Sequence, residues 1–153
     1  LSTRPPHTYA FTPAFVYKNF EISMLWRGSG GNKIYNSLRR SLSLYENIGK
    51  SNLLKSAADF DLFTSKYGSD LWLENGSFLR FENLSIGYRF NLTNVKYISA
   101  LRFSATGNNI AVITKYRGID PEINVSGGNG AGGDNGIYPR TRSFALGINV
   151  IFN

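Results

Sequence analysis

Residues 143–152, SFALGINVIF, place Phe144, Leu146, Ile148, Val150 and Phe152 in strict alternation with Ser143, Ala145, Gly147 and Asn149. A period of two is the period of a strand, and it sends the two sets to opposite faces. The pattern recurs upstream. Phe20, Ile22, Met24 and Trp26 alternate with Glu21, Ser23, Leu25 and Arg27, and Leu84, Ile86, Tyr88 and Phe90 alternate with Ser85, Gly87 and Arg89. Over Tyr9 to Tyr17, Tyr9, Phe11, Phe15 and Tyr17 fall on odd positions with Pro13, against Ala10, Thr12, Ala14 and Val16. Tyr97, Leu101 and Phe103 opposing Ile98, Arg102 and Ser104 is the weakest instance. Leu79 and Phe81 are out of phase with the Leu84 set, which predicts a β-bulge near Glu82-Asn83 or a strand top that stands clear of the buried layer.

Two architectures satisfy alternation on this scale: a soluble β-sandwich with one buried face per sheet, or the wall of a transmembrane barrel. The connections favour the barrel. Lys18-Asn19 and Leu92 to Lys96 are tight, whereas 28–77 and 107–140 are long, and short turns at one end with long loops at the other is the outer-membrane arrangement. Aromatics make up 14% and close the first and last strands, where an interfacial girdle sits. No run reaches the roughly 18 apolar residues of a membrane helix, so any crossing uses strands. The expected fold is all-β: about five antiparallel strands, 8–17, 20–27, 78–90, 97–106 and 141–152, forming one section of a larger barrel. Loops 28–77 and 107–140 are expected to be extracellular. Phe11, Phe15, Phe20, Ile22, Met24, Trp26, Leu84, Ile86, Tyr88, Phe144, Leu146, Ile148, Val150 and Phe152 are expected to face lipid.

Within the first loop, Ile34, Leu38, Leu42 and Tyr45 have helical spacing, predicting a short amphipathic helix over Ile34 to Ile48 with Asn32 as its cap and Gly49 as its stop. A second helical turn is expected around Ser56 to Thr64. In the second loop, SGGNGAGGDNG at Ser126 to Gly136 is a low-complexity segment. The sequence opens LSTRPPH, with neither Met nor a charged-then-apolar leader, so the export signal is expected to lie elsewhere.

Little in the chain points to catalysis or to a cofactor. Cys is absent, which removes thiol nucleophiles and thiolate metal sites, and His7 is the single histidine, beside Pro5-Pro6 with no triad or ligand spacing around it. Gly128, Gly130 and Gly133 satisfy GxGxxG, but no helix follows to receive a phosphate. The adjoining GGDNG offers too few oxygens to hold calcium alone. Asp120-Pro121-Glu122 reads as a turn rather than an acid–base pair. Four Asn-x-Ser/Thr triplets, at Asn75, Asn83, Asn91 and Asn124, read as chance in a chain rich in Asn. The net charge of +7 is dispersed and carries no nucleic-acid signature, so nucleic acid is not expected as a partner. Arg27, Arg89 and Arg102 share the polar parity and are candidates to line a lumen, bound to anionic substrate groups or paired with acidic residues. Arg142, on the apolar parity, is placed to snorkel toward lipid phosphate.

Four blocks in combination carry a resemblance that covers most of the chain. YKNFEISMLWRGSGGNKIYNSLRR at Tyr17 to Arg40, ENGSFLRFENLSIGY at Glu74 to Tyr88, KYRGIDPEIN at Lys115 to Asn124 and GIYPRTRSFALGINVIF at Gly136 to Phe152 resemble the C-terminal end of a SusC/RagA-like TonB-dependent outer-membrane transporter of Bacteroidetes-type bacteria. The resemblance implies a 22-stranded barrel plugged by an N-terminal domain. It also implies residence in the bacterial outer membrane, coupling to TonB through that absent N-terminal part, and pairing with a SusD-like surface lipoprotein that closes the mouth. The remaining partners are the plug and other strands of the same transporter chain and the outer-membrane lipid. The implied activity is import of oligosaccharides or peptides, without catalysis, and Tyr116 and Arg117 are then candidate contacts to cargo or lid, the alternative being that they pack the loop against the barrel wall. The alternatives are a soluble or surface β-rich carbohydrate-binding module and a structural or adhesive outer-membrane barrel.

Overall fold

The computed structural model describes residues 2–59, 69–92, 95–122, 133–134 and 138–152. The chain divides into two compact units. One comprises Leu1–His7, Ser29–Phe78 and Thr114–Pro139, the other Thr8–Gly28, Leu79–Ile113 and Arg140–Asn153.

In chain order the elements are β1 (His7–Phe11), β2 (Ala14–Tyr17), β3 (Phe20–Gly30), β4 (Lys33–Asn36), the helix α1 (Ser37–Ser41), β5 (Leu73–Asn75), β6 (Phe78–Asn91), β7 (Ile98–Thr114), β8 (Gly133–Asp134) and β9 (Ser143–Phe152). Short 3-10 turns occupy Tyr45–Asn47, Lys55–Asp59 and Asp70–Trp72. The larger sheet runs β1-β3-β6-β7-β9, with β2 also on β3. The expected strand 8–17 is thus two short strands on one partner. Pro13 has no N–H for the ladder, so the strand breaks beside it, while its carbonyl still accepts from the Met24 N–H at 3.0 Å.

Register fixes the two faces of this sheet. Between β7 and β9, Leu101 faces Val150, Phe103 faces Ile148 and Ala105 faces Leu146, while Arg102 faces Asn149, Ser104 faces Gly147 and Asn108 faces Ser143. Between β2 and β3, Phe15 faces Ile22 and Tyr17 faces Phe20, and Val16 faces Glu21. Along β7–β9 the bulky apolar residues Leu101, Phe103, Val150 and Ile148 pair with one another and Arg102 and Asn108 with polar residues, whereas on β2–β3 Phe15 and Tyr17 meet apolar partners but Val16 meets Glu21. Among the described residues of the unit none covers Phe144 or Leu146. Leu146 is 88% and Phe144 75% exposed, more contiguous apolar surface than water tolerates without a partner.

The phase change expected in β6 is visible in the contacts of its side chains. Phe81 stacks on Trp26 with ring centroids 4.2 Å apart, placing it with the apolar set. The next residue, Glu82, pairs with Arg27, and Asn83 then bonds Asn108. Two consecutive residues thus meet polar partners, as a bulge requires, and Leu84 onward resumes the apolar phase. On β7, Asn109 adopts a left-handed conformation, φ 51°, which Asn tolerates. β7 nevertheless runs on to Thr114, beyond the expected end at 106: Gly107 and Asn108 have the composition of a loop and pair with Phe144 and Ser143 as a strand. At 14 and 17 residues, β6 and β7 exceed the roughly 9 to 11 that cross a bilayer.

The other unit has its own small sheet, β5-β4-β8, antiparallel on one side of β4 and parallel on the other. This overturns the expected helix over Ile34 to Ile48. Ile34 is buried in β4, and the chain becomes helical only at Ser37, capped by Asn36, whose side chain accepts from the Arg39 N–H at 2.8 Å. Asn32, the expected cap, instead takes the Gly76 N–H on its carbonyl. Gly49 does mark a stop, with φ +80° after the Tyr45–Asn47 turn. Leu44, Trp72 and Tyr35 form the core. The second expected helical turn is met by the 3-10 turn Lys55–Asp59, and its remainder lies outside the described residues.

Deleting Asn83 removes the bulge and should send Leu84, Ile86 and Tyr88 to the polar face. In the full-length protein this deletion is expected to abolish the heat-modifiable migration of an assembled barrel. Normal assembly would show that the phase of β6 does not depend on this position.

Candidate functional site

Each unit carries one organised set of polar side chains. On the polar face of the larger sheet, Arg27 Nε donates to Glu82 Oε2 at 2.7 Å. Arg102 Nη2 donates to Glu21 Oε2 at 2.6 Å, although β6 lies between their strands. Two strand spacings are about 10 Å, a span that these side chains bridge only across an uncluttered strand. Gly87 provides the clearance. A Cβ there would sit 3.1 Å from Arg102 Nη2 and 3.4 Å from Glu21 Oε2, so an added side chain presses on the Arg102 guanidinium of the bridge. Both partners are nearly half exposed, and such a pair contributes about 0–1 kcal/mol, so its effect is neutralisation more than stability.

Toward the other end of the same face lies a chain of amides. Asn83 Nδ2 donates to Asn108 Oδ1 at 2.8 Å, and Asn108 Nδ2 to Ser143 Oγ at 3.2 Å. The buried Arg80 donates to Asn109 Oδ1, and Asn109 Nδ2 donates to the Arg140 carbonyl at 3.1 Å. Two of the three expected lumenal arginines are thus ion-paired within the chain. Arg89 is exposed and has no acidic partner among the described residues. The amide chain escaped sequence reading, since Asn83 matched a chance triplet and Asn108-Asn109 a loop.

The smaller unit is organised by Glu74, 6% exposed in β5. Its Oε1 accepts from Arg39 Nη1 at 3.1 Å and Asn36 Nδ2 at 3.3 Å, with Arg117 Nε at 3.4 Å. Its Oε2 accepts the Arg117 backbone N–H at 2.8 Å. A buried carboxylate persists only when paired, and here one side chain ties the β4–α1 segment to residue 117. Arg39 is itself buried, with its guanidinium 5.8 Å from the Trp72 ring centroid.

Tyr116 corrects an expectation. It is 5% exposed and its hydroxyl donates to Asp134 Oδ2 at 2.6 Å, so it belongs to the interior of this unit and offers no ring to a cargo or lid. Burial, then the bond to Asp134 and the nearby carboxylates, holds its phenol well above the ordinary range. Gly118 is required beside it, because a Cβ there would collide with the Tyr116 ring. Arg117, by contrast, has a side chain 61% exposed. Arg39 and Arg117 line a pocket of about 220 Å³ together with Asn36, Leu38, Leu42, Leu54, Gly118 and Ile119.

Asp120 Oδ1 accepts the Glu122 N–H at 2.9 Å, as the expected turn requires. Gly128 and Gly130 of the GxGxxG spacing lie outside the described residues, while Gly133 is in β8. Among the described residues no group of three or more His, Cys, Asp or Glu is placed to hold a metal ion.

No protein-family model matches the chain. It is 35% identical over 151 residues to the TonB-dependent receptor SusC of Bacteroides thetaiotaomicron, covering 92% of this chain and 14% of that protein. It is 26% identical over 164 residues to the TonB-dependent receptor P3 of Formosa agariphila, covering 97% of this chain and 16% of that protein. Among solved structures, the RagAB peptide transporter superposes with a TM-score of 0.75 at 23% identity, covering 97% of this chain and 17% of that one. The chain therefore spans about a seventh of the length of the curated relatives it matches.

Replacing Glu74 by Gln leaves the buried Arg39 without its counter-charge, a change that costs on the order of 3 kcal/mol. In the full-length protein, limited trypsinolysis within residues 29–78 should then accelerate markedly while the barrel still migrates as folded. Unchanged cleavage rates would remove Glu74 from the organising role given to it.

Proposed function

Because this chain is part of a SusC/RagA-like TonB-dependent transporter of the outer membrane, we propose that it forms wall strands and extracellular loops of an importer that carries oligosaccharides or peptides inward. The observation that carries this reading is the register of β7 on β9, which gathers Leu101, Phe103, Leu146 and Ile148 on one face and Arg102, Asn149 and Asn108 on the other. A wall between lipid and a wet lumen needs that division. The apolar set, from Phe11 and Phe15 to Val150 and Phe152, faces lipid, and the face bearing Arg27, Arg89 and Arg102 lines the lumen. The tight turns are periplasmic and the two long connections extracellular. Energy enters through TonB by way of the plug, which other residues of the transporter supply, and a SusD-like lipoprotein docks over the mouth. The chain's part is structural and selective, and no catalytic step is assigned to it.

The lipid-facing assignment predicts a contrast. Arg at Ile148 is expected to cost about 2–4 kcal/mol near the bilayer midplane. Arg at Ala145, on the lumenal parity, escapes that penalty. Ala145 is a better control than Gly147, whose added Cβ would come within 2.7 Å of Ser104 Oγ. Folding free energies of the full-length barrel in vesicles measure both, and equal costs would refute the assignment.

The transport reading is tested in cells. Affinity purification of the full-length protein is expected to bring down a surface lipoprotein, and deleting its gene to end a TonB-dependent uptake of glycan or peptide. A protein that purifies alone and whose loss changes no uptake would leave a structural barrel as the better account.

A further inference from the structure

We infer that the pocket between α1 and residues 117–119 is a binding site for a single aliphatic residue that ends in a carboxylate. The inference rests on the importer reading for its biological sense, but its chemistry stands on the lining. Four aliphatic side chains, Leu38, Leu42, Leu54 and Ile119, supply the apolar wall, and the charged members are two guanidiniums, Arg39 and Arg117, with no carboxylate among the described lining residues. Leu54 and Ile119 are exposed, at 36% and 42%, an arrangement that leaves apolar surface at the rim unused by the fold.

The two arginines have different duties. Arg39 is buried and its Nη1 is committed to Glu74 Oε1 at 3.1 Å, so it contributes field and shape. Arg117 touches the same oxygen only through Nε, at 3.4 Å, and its side chain is 61% exposed. Its fork of terminal amino groups is then the pocket's means of gripping a planar anion, the geometry in which guanidinium and carboxylate make two parallel hydrogen bonds. Glu74 is not among the lining residues, so the exposed Arg117 guanidinium is the charge this pocket presents to an incoming anion.

Size narrows the occupant further. A volume of about 220 Å³ falls below the roughly 300–1,000 Å³ of sites that enclose drug-sized ligands. One residue's side chain and its carboxylate fit; an oligomer does not. Among the described lining residues there is no aromatic ring to stack on a sugar, which favours the aliphatic carboxylate over a uronic acid. The end of a peptide with a branched aliphatic last residue has this chemistry.

The test uses the full-length transporter in detergent, with N-acetyl-L-leucine as the probe and N-acetyl-L-leucinamide as its uncharged counterpart, followed by saturation-transfer NMR titration. The acid is expected to bind, and the amide to bind roughly tenfold or more weakly, the span of a charge-assisted hydrogen bond. Arg117→Gln should erase that preference and Arg117→Lys retain part of it. Leu54→Asn should weaken the acid and the amide alike. Since Arg117 is exposed, folding of its variants is checked by barrel migration and is expected to be unchanged. Equal binding of acid and amide, no binding of either, or an Arg117→Gln protein that keeps the preference would overturn the proposal. Continued TonB-dependent uptake in that event would leave the importer reading standing, whereas lost uptake with intact probe binding would separate the two the other way.

Discussion

The phase of the backbone ladder governs everything in the larger sheet. A one-layer sheet has no interior of its own, so each residue's surroundings are decided by parity alone, and a slip of one position exchanges the two faces. The β7–β9 register keeps Phe103 with Ile148 and Arg102 with Asn149 across the seam, and the irregularity at Glu82-Asn83 restores the phase where β6 would otherwise lose it. The outward rings and the inward charges are two consequences of one constraint.

The smaller unit follows a different principle. Its apolar core is slight, centred on Trp72, Leu44 and Tyr35, and much of its order comes from a buried carboxylate that collects donors from distant segments. Such a hub tolerates little change at its centre, because loss of one charge strands another away from water. The surface around it is freer to vary, as surface loops are.

The wall was legible in the sequence because strand periodicity is local: Phe144 to Phe152 declare their two faces without reference to any other segment. The loop unit was not. Ile34, Leu38, Leu42 and Tyr45 have helical spacing, yet Ile34 is drawn into β4 by pairing with β5 and β8, some 40 and 100 residues away, and such pairing outweighs a local period. The ion pairs illustrate the same limit. Arg27 and Arg102 were recognisable as inward-facing, but Glu82 and Glu21 as their partners depend on strand order. The partner of Tyr116 was out of reach as well, because Asp134 sits beyond a glycine-rich stretch that carries no periodic signal.

The bridge from Glu21 over Gly87 to Arg102 makes three residues, on three strands and far apart in sequence, into a single heritable unit. If position 87 acquires bulk, the Arg102 guanidinium must shift to keep its bond to Glu21, and bulk beyond what that shift allows separates the two charges. Lineages that replace the glycine are then under pressure to neutralise both ends, and lineages that neutralise one end are released from the glycine. Correlated change at 21, 87 and 102, rather than invariance at any one of them, is the evolutionary trace such an arrangement leaves.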